Sequence, residues 1–311
     1  MNETIEHRDE TSPPATPRVR RRWRRWVLLA LALLLAFGVW HECERRANAP
    51  AVTANSSMSV PLPPADVAPT ADVPAWIRYA TPAAATNRPR IAIVIDGLGV
   101  DRVATARTIA LPPAVTLSFV AYASDLPDQT AAARRAGHEL LLHVPMEPIS
   151  TTAAMGSYGL GRNMPRDELV RRLRWDLARF DAYVGVDNHM GTEFAQDTPA
   201  MRVVMDELKR RGLLYLDARA VPTAPVAVAA RDFGVPYAAR DLFLDGERAA
   251  ISVDSRLAQL VKLARERGSA IAIGHAHEAT LAALQRWLPT LSRQGVALVP
   301  LTAVVKARGG G

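Results

Sequence analysis

The sequence predicts an α/β fold built on a mostly parallel sheet, and three observations carry that expectation. From Arg90 onward, short apolar β-branched runs alternate with longer stretches of helical spacing. Several of those helical stretches end in Arg or Lys followed by Gly, the usual stop for a helix. Several apolar runs end in an acid or an imidazole, and the carboxyl ends of parallel strands are where such folds gather their sites. Strands alternating with helices of this length imply right-handed βαβ units. With seven or eight strands the sheet is either a distorted (β/α) barrel or an open doubly wound sheet.

In chain order, the first element is a basic tail, residues 1–25, holding six arginines within PRVRRRWRRW (17–26). The apolar run VLLALALLLAFGVW (27–40) follows, with Trp26 and Trp40 at its edges. A full membrane span needs about 17–25 apolar residues, and interfacial indoles extend a short one. A cleaved signal peptide competes with this reading, but HECERR follows at once and the Ala47–Ala49 site is followed by Pro50. We therefore expect a single-pass anchor over 26–41 in the inner membrane. The arginines hold the N-terminus in the cytoplasm and the remainder lies in the periplasm. These arginines also account for much of the net charge of +7, which leaves little reason to expect nucleic-acid binding. Cys43 is the single cysteine, so no intrachain disulfide is possible.

Residues 42–89 are rich in Pro and Ala and read as a spacer off the bilayer, with PAWIRYA (74–80) a segment that could dock on the domain. The folded domain is expected over 90–306. Its strands are read at 90–96, 114–122, 138–146, 182–190, 213–219, 270–277 and 296–304, with 237–245 a weaker eighth. Helices are read in PRDELVRRLRWDLARF, TPAMRVVMDELKRRG, SVDSRLAQLVKLARERG and HEATLAALQRWLPTLSRQG.

Polar groups fall at the ends of these strands: Asp96 after IAIVI, His143 after ELLL with Glu147 four residues on, and Asp187, Asn188 and His189 after YVGV. Asp217 ends LLYL, and His275 ends AIAIG. Each has a plainer reading: Asp96 as the cap of the next helix, His143 as a core histidine, Asp217 as the partner of Arg219. GLGVDR lacks the G-x-G-x-x-G spacing of a dinucleotide site. Taken together, carboxylates and imidazoles from five strands form a set suited to a divalent cation such as zinc.

IVIDGLG, GHELLLHVPMEP, GVDNHMGT, LLYLDAR with the downstream FLD (243–245), and AIAIGHAH resemble the divergent polysaccharide deacetylases, distant relatives of the NodB-type carbohydrate esterases. The resemblance covers most of 90–305. It implies a NodB-like distorted barrel and a metal-assisted hydrolase acting on N- or O-acetyl groups of a cell-envelope polysaccharide. It implies Asp96 as base and His143 and His189 as metal ligands, with either Asp96 or Glu147, which stands where a second histidine would be, completing the metal site. It also implies His275 as general acid, oriented by Asp217. Asp187, Asn188 and Arg219 are the expected substrate contacts. Gly97 stands where the family has a second acid, which weakens the expected zinc site, and Asp187 on a neighbouring strand offers a replacement charge. A catalytically impaired fold that binds glycan or an envelope partner is the alternative.

Overall fold

The computed structural model describes residues 73–149, 158–218, 224–246 and 252–309. The basic tail, the expected anchor, the spacer up to residue 72 and Arg219 lie outside the described residues. Among the described residues no helix is long and apolar enough to cross a membrane.

Among the described residues nine strands form one sheet: β1 (Arg90–Leu98), β2 (Thr116–Val120), β3 (Leu140–Met146), β4 (Gly185–Met190), β5 (Leu214–Asp217), β6 (Tyr237–Ala239), β7 (Leu242–Phe243), β8 (Ser269–His275) and β9 (Ala297–Leu298). Their order is β6-β5-β4-β3-β2-β1-β8-β7, with β9 beside the start of β1, and every pairing is parallel. The helices are α1 (Ala75–Arg78), α2 (Arg102–Ile109), α3 (Leu126–Arg135), α4 (Arg166–Leu177), α5 (Thr198–Arg211), α6 (Ala224–Phe233), α7 (Val253–Arg267), α8 (Glu278–Trp287) and α9 (Leu301–Ala307).

The sheet's two edges, β6 and β7, are separated in sequence only by Arg240 and Asp241. At about 3.8 Å per residue the chain spans at most about 11 Å there, so the sheet must curl until its edges nearly meet. Arg240 donates its N–H to the Asp217 carbonyl on β5, and Asp241 donates to the Ile271 carbonyl on β8, both at 2.9 Å. The weak eighth strand read at 237–245 is therefore two short strands that bridge the open seam of a distorted barrel.

Alternate residues of each strand face opposite sides. Ile91, Ile93 and Ile95 pack in the core cluster shared with the helices, while Ala92 and Val94 pack in a second cluster with Leu141, Leu214, Leu216, Ile271 and Ile273. That second cluster is the barrel interior. It also contains Leu301, Val304 and Val305 of α9, so this helix plugs the end of the barrel where the strands begin. Here the structure corrects the sequence reading of 296–304 as a strand. Pairing stops at Leu298, Pro300 precedes the helix, and the apolar run is buried as a plug. Glu139, fully buried at the start of β3, accepts hydrogen bonds from the Thr302 N–H at 3.0 Å, the Thr302 hydroxyl, and the Thr81 N–H at 3.3 Å. It ties the plug and the incoming chain to the barrel floor. Trp76 is buried in the same cluster and its N–H donates to the Gly212 carbonyl at 2.9 Å, so PAWIRYA does dock. Gly212 and Gly268, both in the left-handed region, stop α5 and α7 as their Arg-Gly endings predicted.

Candidate active site

Interior alternation places the polar strand ends in one layer above the apolar floor. Asp96 continues the series Ala92, Val94; His143 continues Leu141; His275 continues Ile271, Ile273. Register then decides neighbours. Asp96 is the direct partner of His275 across β1 and β8, and His143 is the partner of Asp187 across β3 and β4. Asp96 is not a helix cap, because Asp101 caps α2 by accepting the Val103 and Ala104 N–H groups.

The Asp96 carboxylate is buried between two imidazoles. Its Oδ2 lies 3.9 Å from His143 Nε2 and its Oδ1 lies 3.5 Å from His275 Nε2. Each imidazole is backed by its own carboxylate. His143 Nδ1 is 2.9 Å from Asp187 Oδ2, and His275 Nδ1 is 2.9 Å from Asp245 Oδ1. Ser118 donates its hydroxyl to Asp187 Oδ1, and Thr280 donates to Asp245 Oδ2 at 2.6 Å. His189 Nδ1 lies 3.0 Å from His143 Nε2, and the Tyr122 ring stands edge-on to His189.

These contacts set the proton affinities. Burial pushes Asp96 up to about 6, against the pull of His143 and His275. Burial and then the neighbouring histidines push His189 down to about 3, so it is neutral and able to act as a donor of a lone pair. Burial would also lower His143, but Asp187 and Asp96 outweigh it and the net shift is upward. The hydrogen bond that His275 donates to Asp245 raises the imidazole. Burial works to raise Asp245, yet its bonds from His275 and Thr280 hold it below the usual carboxylate range.

Do the residues present suit a divalent ion? Asp96 Oδ1 is a buried acceptor that receives no hydrogen bond, which leaves a lone pair free for a cation. Two imidazole nitrogens 3.0 Å apart have the spacing of two donors to one ion, given Zn–N bonds of about 2.0–2.1 Å. Among the described residues two groups have ligand atoms mutually within 4.8 Å: Asp96 with His143 and Asp187, and Asp245 with His275 and His277. In the first, Asp187 is bonded to the far ring nitrogen of His143 and is better placed to orient that imidazole than to share its ion. In the second, Asp245 is likewise committed to His275, while His277 is exposed with its ring 5.3 Å from that of His275. The candidate donors are Asp96 and His143 from the first group, with His189 added through its 3.0 Å approach to His143 Nε2, although His189 belongs to neither group.

A model of the divergent polysaccharide deacetylase family matches residues 93–305, most of the chain. The chain belongs to the divergent polysaccharide deacetylase family. It is 31% identical over 202 residues to the uncharacterized protein YibQ of Escherichia coli K12, covering 65% of this chain and 63% of that protein. It is 29% identical over 202 residues to an uncharacterized protein of Haemophilus influenzae, covering 65% of this chain and 72% of that protein. The chain thus spans less than two thirds of the length of the first of these relatives. An uncharacterized protein of Agrobacterium tumefaciens C58, ATU2773, has a solved structure that is 32% identical, with a TM-score of 0.72 covering 75% of this chain and 95% of that one.

Against this family member's geometry, four residue expectations need correction. Asp217 does not orient His275: its Oδ2 accepts the Tyr237 hydroxyl at 2.9 Å, on β5, and Asp245 on the far side of the seam orients His275 instead. Glu147 lies past the end of β3, where its Oε2 accepts the Arg162 N–H at 2.7 Å and its Oε1 faces the Arg162 guanidinium at 3.4 Å, outside both ligand groups. Asp187 is fully buried with both oxygens engaged, which does not suit a substrate contact. Asn188 is buried too: its Oδ1 accepts the Ala218 N–H at 2.9 Å and its Nδ2 donates to the Met190 carbonyl at 2.7 Å. That bond braces the positive-φ turn at Met190 and Gly191 and so fixes the strand end that carries His189.

Proposed function

We propose that the chain is a membrane-anchored, periplasm-facing, metal-dependent hydrolase that removes N- or O-acetyl groups from a cell-envelope polysaccharide. The observation that carries this reading is the Asp96 carboxylate held between two carboxylate-backed imidazoles, with a neutral His189 beside one of them. The basic, tryptophan-flanked apolar run at the N-terminus is what supports the bilayer as a partner and the periplasm as the location.

His143, His189 and Asp96 would hold the ion, with zinc the metal suited to two imidazoles and a carboxylate. When bound, such an ion supplies Lewis acidity, polarising an acyl carbonyl and lowering the pKa of water. Asp96 takes the proton of the attacking water as its oxygen bonds to the acyl carbon. Burial strengthens Asp96 as a base, since a carboxylate near 6 holds a proton better than an ordinary one. His275, kept protonated by Asp245, gives its Nε2 proton to the leaving nitrogen or oxygen as the acyl bond breaks. Asp245 remains an anion throughout and steadies the imidazolium. Phe243 stacks on the His275 ring at 5.4 Å and limits its rotation.

The test is acetate release by the purified full-length chain from acetylated envelope glycan fragments with zinc and other divalent ions supplied in turn. Absence of acetate under every ion removes the proposal. A second reading, a glycan- or partner-binding protein on a retired deacetylase fold, is favoured by Gly97 and by the engagement of Glu147 with Arg162. Under that reading His143→Ala and His189→Ala leave function in cells intact. Loss of function in a folded variant excludes it.

A further inference from the structure

Resting on the metal-dependent reading above, we propose that Asp187 is a positioning residue that supplies, through His143, the negative charge this chain lacks at position 97. Position 97 has no side chain, and a Cβ built there would meet only His275 Cδ2, at 3.8 Å and in ordinary contact, beside the imidazole that faces Asp96. A carboxylate on this residue has room to extend without a clash, next to Asp96 in the chain. Asp187 is the one other carboxylate that touches a member of the donor set from inside the barrel, among the described residues. It is completely shielded from solvent, and its two oxygens are placed for different tasks. Oδ1 accepts the Ser118 hydroxyl, which fixes the carboxylate plane. Oδ2 receives the proton of His143 Nδ1 at 2.9 Å.

Two consequences follow from that bond. With the proton on Nδ1, the lone pair of His143 is on Nε2, the nitrogen that faces Asp96 and His189. A buried carboxylate on Nδ1–H also makes Nε2 more electron-rich, because in this low-dielectric interior no solvent screens the charge. The imidazole then delivers part of the Asp187 charge to whatever Nε2 binds. Zinc held by Asp96, His143 and His189 would see one carboxylate directly and a second through the ring.

Zinc affinity of the full-length chain, read by competition with a chelating dye, tests this without reference to turnover. Asp187→Asn keeps the shape and loses the charge, and it is expected to weaken zinc binding by about 10- to 100-fold. Gly97→Asp in the Asp187→Asn background is expected to restore much of the loss. Its backbone φ of +72° lies in the left-handed region, where aspartate is better tolerated than most residues. A purely structural Asp187 would not be rescued from position 97. Ser118→Ala, which keeps the charge, is expected to bind zinc close to the wild-type level, and a loss as large as that of Asp187→Asn would overturn the proposal. Should Asp187→Asn be marginally folded, the rise in Tm on adding zinc gives the same affinity by linkage. Equal affinity in wild type and Asp187→Asn overturns this inference and leaves the metal-dependent reading standing. No zinc binding by the wild type overturns both.

Discussion

Asp245 grips His275 twice, with Oδ1 2.9 Å from the ring Nδ1 and Oδ2 2.8 Å from the backbone N–H of the same residue. The double contact fixes both the ring and the strand end that carries it, and it selects Nε2 as the nitrogen that meets Asp96.

Replacing Asp245 by Asn should therefore change the titration of His275 as well as the rate. Because the aspartate raises the imidazole pKa, its loss lowers that pKa. The protonated acid then disappears at lower pH, and the alkaline limb of the rate profile moves down. Near neutral pH the rate should fall by about 100-fold or more, the usual contribution of a placed acid. Asp217→Asn should leave the His275 titration in NMR where it is. A shift caused by Asp217→Asn and not by Asp245→Asn would refute the assignment.

The donor set makes a separate prediction. His143→Ala and His189→Ala should each abolish stoichiometric zinc in the purified chain, measured by elemental analysis, while Glu147→Gln should retain it. Glu147 meets a partly exposed arginine, and pairs of that kind contribute about 0–1 kcal/mol, so its variant should also melt near the wild type.

Asp176 on α4 is buried with neither carboxylate oxygen hydrogen-bonded, and burial raises its pKa well above the ordinary value. The folded state then binds this proton more tightly than the unfolded chain does. Stability is lost as pH rises from the unfolded pKa, about 3.9, through the folded one. Asp176→Asn should stabilise the protein by about 1–3 kcal/mol at neutral pH, and the gain should vanish below about pH 4. Urea melts of both proteins at the two pH values check this. A gain that persists at low pH would show that charge is not the cause.

Trp76 places α1 against the barrel floor with Lys306 of α9 over its ring, centroid distance 5.6 Å. Trp76→Ala should cost about 3–5 kcal/mol of unfolding free energy, the usual range for a buried tryptophan. Chemical denaturation would reveal it, and a change below about 1 kcal/mol would mean that the segment from Val73 rests on the domain without stabilising it.

Much of this molecule is legible along the chain. The alternation of β-branched runs with Arg-Gly-terminated helices is local, and so is the placement of Asp96, His143, His189 and His275 at strand ends. Parallel strands then bring those ends to one rim whatever the order of the strands. Three of the errors, at Asp217, Asp187 and Asn188, share a cause. Leu-Tyr-Leu-Asp (214–217) and Leu-Phe-Leu-Asp (242–245) have the same pattern, and nothing within either stretch says which acid meets His275. The curl of the sheet decides it, by laying β7 against β8 while β5 pairs with β4. Asp187 and Asn188 sit beside a ligand in sequence, yet strand register turns Asp187 toward His143 and packing holds Asn188 against β5.

The sequence by itself determined the fold class, the direction of the strands and most of the groups available for chemistry, Asp245 excepted, because periodicity and chain stops act over a few residues. Only the tertiary structure decided which carboxylate serves which imidazole. Hydrogen bonds reach about 3 Å, and whether two groups come that close depends on strand order, register and curvature set by contacts far apart in the chain.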